Sequence, residues 1–151
     1  MLSAAGVALP FPNTPVEAPR FRAKSMEGVT FDNDSLKGKV VLVQIWATWC
    51  GYCRSDQPAV DEVIDEFGVA GLVVLAVNSG ESKKKVQQYL EKSPRKGHIV
   101  LMPDTNLAAV FRGDGLPHYV VLDRAGKVVK EQRGASGAAG LQQLMAAAGL
   151  G

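Results

Sequence analysis

The chain has 151 residues, enough for one domain that buries about 70% of its unfolded surface without staples. With 46% apolar and 21% charged residues, its composition is globular and excludes disordered, collagen-like and coiled-coil classes. Seventeen basic against fifteen acidic residues leave a net charge of +2, too small and dispersed for a nucleic-acid surface.

The first nine residues are small and apolar but lack a basic leading region, so they are not a complete signal peptide. They read either as the stub of a trimmed anchor or as an ordinary frayed terminus. Pro10, Pro12, Pro15 and Pro19 follow, and proline supplies no backbone donor and forces its predecessor into extended geometry. Residues 1–19 are therefore expected to be a flexible linker or terminus, and residues 20–151 the folded domain. Phe21 to Phe31 reads as a short extended pair turning at Glu27-Gly28.

Val40 to Trp46 is β-branched and almost wholly apolar, the pattern of a strand covered on both faces, as in a parallel sheet. Gly51 to Phe67 follows at helical spacing, with Val60, Val63, Ile64 and Phe67 on one stripe and Pro58 expected to kink it. Leu72 to Val77 is a second apolar strand, which completes a right-handed βαβ unit with parallel strands. No apolar run approaches the roughly 20 residues needed to span a membrane. Ser82 to Lys92 reads as a helix with Val86, Tyr89 and Leu90 inward and Lys83, Lys84 and Lys85 solvated. A short helix is expected around Leu107 to Phe111, and a hairpin from Tyr119–Leu122 and Val128–Glu131 around a loop containing Gly126. Leu141, Leu144, Met145 and Ala148 define a closing helix, with Gly149 as its left-handed cap.

Cys50 and Cys53 are the two cysteines of the chain. A disulfide between them closes a loop so short that it stabilises by only about 2 kcal/mol, which suits electron exchange better than stapling. Ligands and reactive groups of open α/β sheets gather beyond the carboxyl ends of the strands, and Cys50 lies there, at the mouth of a helix. Unpaired amides and the positive end of the helix dipole favour its thiolate; thiols so placed titrate at roughly pH 3.5 to 7.5 instead of about 8.5. Cys50 is thus the candidate nucleophile and Cys53, nearly one turn on, the resolving thiol. Haem attachment needs histidine directly after the second cysteine, and Arg54 stands there. A zinc site needs further ligands, and His98 and His118 are twenty residues apart instead of three to five. Each reads as a satisfied or surface histidine.

The run Trp46-Ala47-Thr48-Trp49-Cys50-Gly51-Tyr52-Cys53 resembles the active-site segment of the thioredoxin superfamily, in particular its TlpA/ResA-like branch of bacterial thiol-disulfide oxidoreductases. Pro58, Gly115-Leu116-Pro117 and the lead-in Leu36 to Leu42 extend the similarity from about residue 20 to the end. The resemblance implies a thioredoxin-like α/β fold: a central mixed sheet flanked by helices, here with an N-terminal β extension. It also implies a cis Leu116-Pro117 bond beside which an extended substrate pairs, with Trp49, Leu116 and Pro117 forming the docking surface.

Two departures stand out. Where thioredoxins carry a buried aspartate, this chain has Gln44, which cannot titrate. The ResA-like branch uses a carboxylate six residues after the first cysteine, and Asp56 occupies that place, one turn from Cys53, either as its proton acceptor or as a complement to the positive helix start. Arg54, four residues after Cys50, reads as a solvated arginine or as a support for the thiolate. Gly51-Tyr52 replaces the Gly-Pro of thioredoxin and leaves the amide of Tyr52 free to bond a sulfur. Superfamily potentials run from about −270 to −120 mV, and the dipeptide does not place the protein within them.

The expected activity is exchange with protein disulfides, drawing on an upstream electron donor, without metal or other cofactor. The protein is expected to act as a monomer in the periplasm or cell envelope, with a cytoplasmic location as the alternative, and to meet a membrane only through a missing N-terminal anchor. Two rival readings share the fold. A peroxiredoxin-type peroxidase needs threonine three residues and proline seven residues before its cysteine, where this chain has Ala47 and Val43. A copper carrier would have to use Cys50, Cys53 and His118.

Overall fold

The computed structural model describes residues 15–151. The expected linker therefore lies outside the described residues for its first fourteen positions. Val16–Glu17 (β1) is paired, antiparallel, with Val128 and Lys127. Arg22–Ser25 (β2) and Thr30–Asp32 (β3) form the expected N-terminal hairpin, in which Gly28 takes the left-handed φ of +89° that the turn requires.

Val40–Trp46 (β4) is buried along its whole length, as a run without polar alternation requires. It pairs in parallel with Leu72–Asn78 (β5) and antiparallel with His118–Leu122 (β7). Between β4 and β5 runs the helix Gly51–Phe67 (α1), continuous through Pro58, with Val60, Val63 and Phe67 buried and Ile64 packed beside them. Lys83–Lys92 (α2) is capped by the Ser82 hydroxyl, which accepts from the amide of Lys85 at 3.2 Å. Leu107–Val110 (α3) is the expected short helix. Lys127–Arg133 (β8) completes the hairpin with β7, and Gly137–Ala147 (α4) closes the chain, with Gly149 left-handed after it.

Between α2 and α3, where the sequence carries no expected element, the chain forms a strand, His98–Thr105 (β6). It runs parallel to β5 and antiparallel to β2, and the β2–β6 register shifts between Ala23 and Ser25. Pro103 lies in that irregular stretch, the kind of place where a sheet tolerates a residue without an amide donor. The eight strands form one mixed sheet in the order β1-β8-β7-β4-β5-β6-β2-β3. One face packs on α1 and α4 through Val60, Val63, Leu141, Leu144 and Met145. The opposite face covers a core built on Val41, Val43, Leu75 and Val120, with Phe21 and Leu107 over it. A third cluster gathers Trp46, Ala47, Cys50 and Cys53 with Val86, where β4 hands over to α1.

Leu42, fully buried at the centre of β4, carries a testable weight. Leu42→Ala should destabilise the domain by about 2–5 kcal/mol, read as a lower denaturant midpoint at unchanged slope.

Candidate active site

Strand β4 ends at Trp46, and four residues later Cys50 is the N-cap of α1, in extended conformation with φ −82° and ψ 108°. A helix leaves its first amides without partners. The Cys53 amide finds one in Cys50 Sγ, to which it donates at 3.1 Å. That amide, and not the one of Tyr52, makes the sulfur contact. Cys50 and Cys53 are joined as a disulfide with Cα atoms 5.2 Å apart.

The pair is unevenly covered. Cys50 retains 4% of its surface and Cys53 none, while the flanking Trp49 and Tyr52 are 66% and 69% exposed. Leu116 packs against the cluster that holds both cysteines. The Leu116-Pro117 peptide bond is cis, and the Pro117 carbonyl accepts from Gly134 at 2.8 Å. The cysteine pair and Leu116 therefore meet, although the sequence separates them by more than sixty positions.

Asp56 is 2% exposed and its carboxylate accepts three hydrogen bonds, from the Tyr119 hydroxyl at 2.9 Å and from the amides of Ser136 and Gly137 at 2.7 and 2.9 Å. Those amides open α4, whose N-cap Ser136 supplies no side-chain bond of its own. The helix start that Asp56 complements is thus α4, not α1. Burial, then the charge of Asp56, pushes the Tyr119 phenol well above its ordinary range, so it stays a donor.

Beneath the pair lies a polar network that no local motif announces. Gln44, buried in β4, donates to Gln57 at 3.2 Å and accepts from Arg95 at 3.4 Å, and Gln57 donates to Asp61 at 2.8 Å. Arg95 stacks over the Trp46 ring, 3.7 Å from its centroid, and burial pushes its guanidinium below the ordinary value. Arg54 is exposed yet engaged, donating to the Thr48 carbonyl at 2.9 Å.

Of the two histidines, His98 is half-buried beside Phe31, and His118 is buried next to Pro117. Among the described residues no three His, Cys, Asp or Glu side chains are grouped to hold a metal ion.

The Redoxin family profile matches residues 14–144. The chain belongs to the Redoxin family. It is 31% identical over 114 residues to the thiol-disulfide oxidoreductase ResA of Bacillus subtilis, covering 76% of this chain and 64% of that one. To the ResA of Bacillus cereus it is 27% identical over 115 residues, covering 76% and 66%. The chain thus spans about two thirds of the length of these relatives. The crystal structure of a thiol:disulfide interchange protein of the thioredoxin family from Chlorobium tepidum superposes with a TM-score of 0.78 at 26% identity, over 91% of this chain and 99% of that one. The fold is thioredoxin-like, as the cysteine segment and its flanks suggest.

Burial, and next the positive charge of Arg133, hold the His118 imidazole below its ordinary value. Its folded pKa is therefore lower than its unfolded one, so the unfolded chain takes up the proton first as pH falls. Stability from this group should be complete above about pH 6.5, the unfolded value, and decline below it. Denaturant midpoints compared between about pH 7 and pH 5 should fall less for His118→Phe than for the parent protein.

Proposed function

We propose that this protein is a thiol-disulfide oxidoreductase acting on protein disulfides, with Cys50 as the attacking thiol and Cys53 as the resolving one. The observation that carries the reading is the seat of Cys50 at the N-cap of α1, where the Cys53 amide points at its sulfur. The same donor that bonds the sulfur in the disulfide is available to a thiolate, for which the positive helix end is most favourable.

The reaction needs two exchanges. The Cys50 thiolate attacks one sulfur of a substrate disulfide, forms a mixed disulfide and releases the other substrate sulfur as a thiolate. Cys53, once deprotonated, attacks Cys50 Sγ, closes the intramolecular disulfide and frees the second substrate thiol. An upstream dithiol then reduces the pair by the reverse chemistry. The uneven burial supports this division, because Cys50 alone keeps surface within reach of a partner. Exposed Trp49 and Tyr52 give an approaching chain apolar area, and the backbone around Leu116 and Pro117 offers extended pairing that brings a substrate sulfur to Cys50.

Asp56 serves Cys53 as proton acceptor in this reading. It lies one helical turn further on, buried, with its carboxylate oriented by three donors. The resemblance to the ResA-like branch supports a location outside the cytoplasm and work as a reductase. Among the described residues no helix is long and apolar enough to cross a membrane.

Cys53→Ser should leave the protein stalled as a mixed disulfide on Cys50, detectable as a covalent adduct that reductant releases. Cys50→Ser should give none, and a Cys53→Ser protein that forms no adduct with a disulfide substrate would overturn the assignment. For Asp56, replacement by Asn should alter the pH profile of Cys53 alkylation, whereas an unchanged profile restricts Asp56 to capping α4.

A further inference from the structure

The loop that carries Trp49 to Cys50 is gripped from outside its own elements. Thr48 lies two residues before Cys50, and both of its donors go to one carboxylate. Its amide donates to Glu81 Oε1 at 2.7 Å and its hydroxyl to Glu81 Oε2 at 2.5 Å. Its carbonyl accepts from Arg54.

Glu81 is itself held, with its side chain only 8% exposed. Its amide donates to Asn78 Oδ1 at 3.0 Å, Asn78 Nδ2 donates back to Oε1 at 2.8 Å, and Lys85 Nζ lies 3.4 Å from Oε2. Asn78 ends β5 in register with Trp46 at the end of β4. The clamp is therefore anchored to the two central strands from which the site projects.

We infer that Glu81 is a positioning residue for exchange at Cys50: together with Arg54 it clamps the Thr48 peptide from both sides and so fixes the turn that presents Trp49 and Cys50 to a partner. The inference rests on Cys50 being the attacking thiol. A carboxylate suits the task because its two oxygens accept all three donors of Thr48 and Asn78, whereas a glutamine offers one acceptor oxygen and turns an amine toward the others. Burial raises the carboxyl pKa of Glu81, but the bonds from Thr48, Asn78 and Lys85 outweigh it and hold it below the ordinary range. The clamp thus stays charged at neutral pH.

Charge alone and positioning predict opposite signs. Removing a negative group near Cys50 would relieve Coulomb repulsion of its thiolate, favour that form and speed exchange. Loosening the loop lowers the fraction of molecules in the competent arrangement, and the observed rate falls with that fraction.

The test measures the rate of reduced full-chain protein with glutathione disulfide from mildly acid to mildly alkaline pH. Glu81→Gln should slow exchange about tenfold across the range, the loss expected when charge-assisted bonds that hold a loop are removed. Thr48→Val should slow it less, and Thr48→Ser, which keeps both donors, should restore the parent rate. Circular dichroism establishes that each variant is folded; should Glu81→Gln not fold, the Thr48→Val and Thr48→Ser pair decides. Exchange by folded Glu81→Gln at or above the parent rate, or by Thr48→Val at the rate of Thr48→Ser, would overturn the inference. A parent protein that does not exchange, or a Cys50→Ser variant that still does, would instead overturn the oxidoreductase reading on which it rests.

Discussion

The geometry of the site depends on how β4 ends. A strand paired on both edges and buried on both faces cannot shift without breaking two ladders and two cores, so the point where it releases the chain is held firmly. Four residues later Cys50 caps α1, whose unpaired amides have to find acceptors. Cys50 stands at that mouth. The bond from the Cys53 amide to Cys50 Sγ is the joint consequence of a fixed strand end and a helix start that lacks a serine or aspartate cap. The disposition of Trp49, Tyr52 and Asp56 follows from the same handover, since each sits on the loop or on the first two turns of that helix.

Gln44 and Asp56 are tolerated within the core because distant elements satisfy them. Gln44 interrupts the most apolar strand of the chain, and its partners come from α1 and from the loop before β6. Asp56 is buried, and its partners come from β7 and from the start of α4. A buried carboxylate or amide left unpaired costs on the order of 1–3 kcal/mol or more, so these bonds tie α1, α4 and β7 into one rigid seat under the cysteines. Glu81 performs the corresponding service on the other side, where β5 meets the loop.

Much of this was legible along the chain because it is written in local periodicity. Val40–Trp46, apolar but for Gln44, and Leu72–Val77 declare themselves by their apolar runs, and the stripe of Val60, Val63 and Phe67 by its 3.6-residue spacing. Cys50 and Cys53 declare themselves by lying between those elements. Strand β6 was not legible, because its apolar run is brief and Met102-Pro103-Asp104 reads as a break. Only the parallel pairing with β5 and the irregular pairing with β2 make it a strand. Val16–Glu17 likewise pairs with β8 from within a proline-rich stretch that contains no strand pattern.

The sequence by itself determined the secondary elements flanking the cysteines and the place of the reactive pair, since these depend on residues within a few positions of one another, and its scattered motifs carried the thioredoxin-like character of the fold. Tertiary structure alone decided the seat of Asp56 against α4, the stacking of Arg95 on Trp46 and the grip of Glu81 on Thr48. The physical reason is the range of the interactions. Helix and strand patterns repeat over a few residues, whereas a hydrogen bond to a side chain about thirty to eighty positions away exists only once the sheet has brought its two ends together, and neither partner marks the other in the chain.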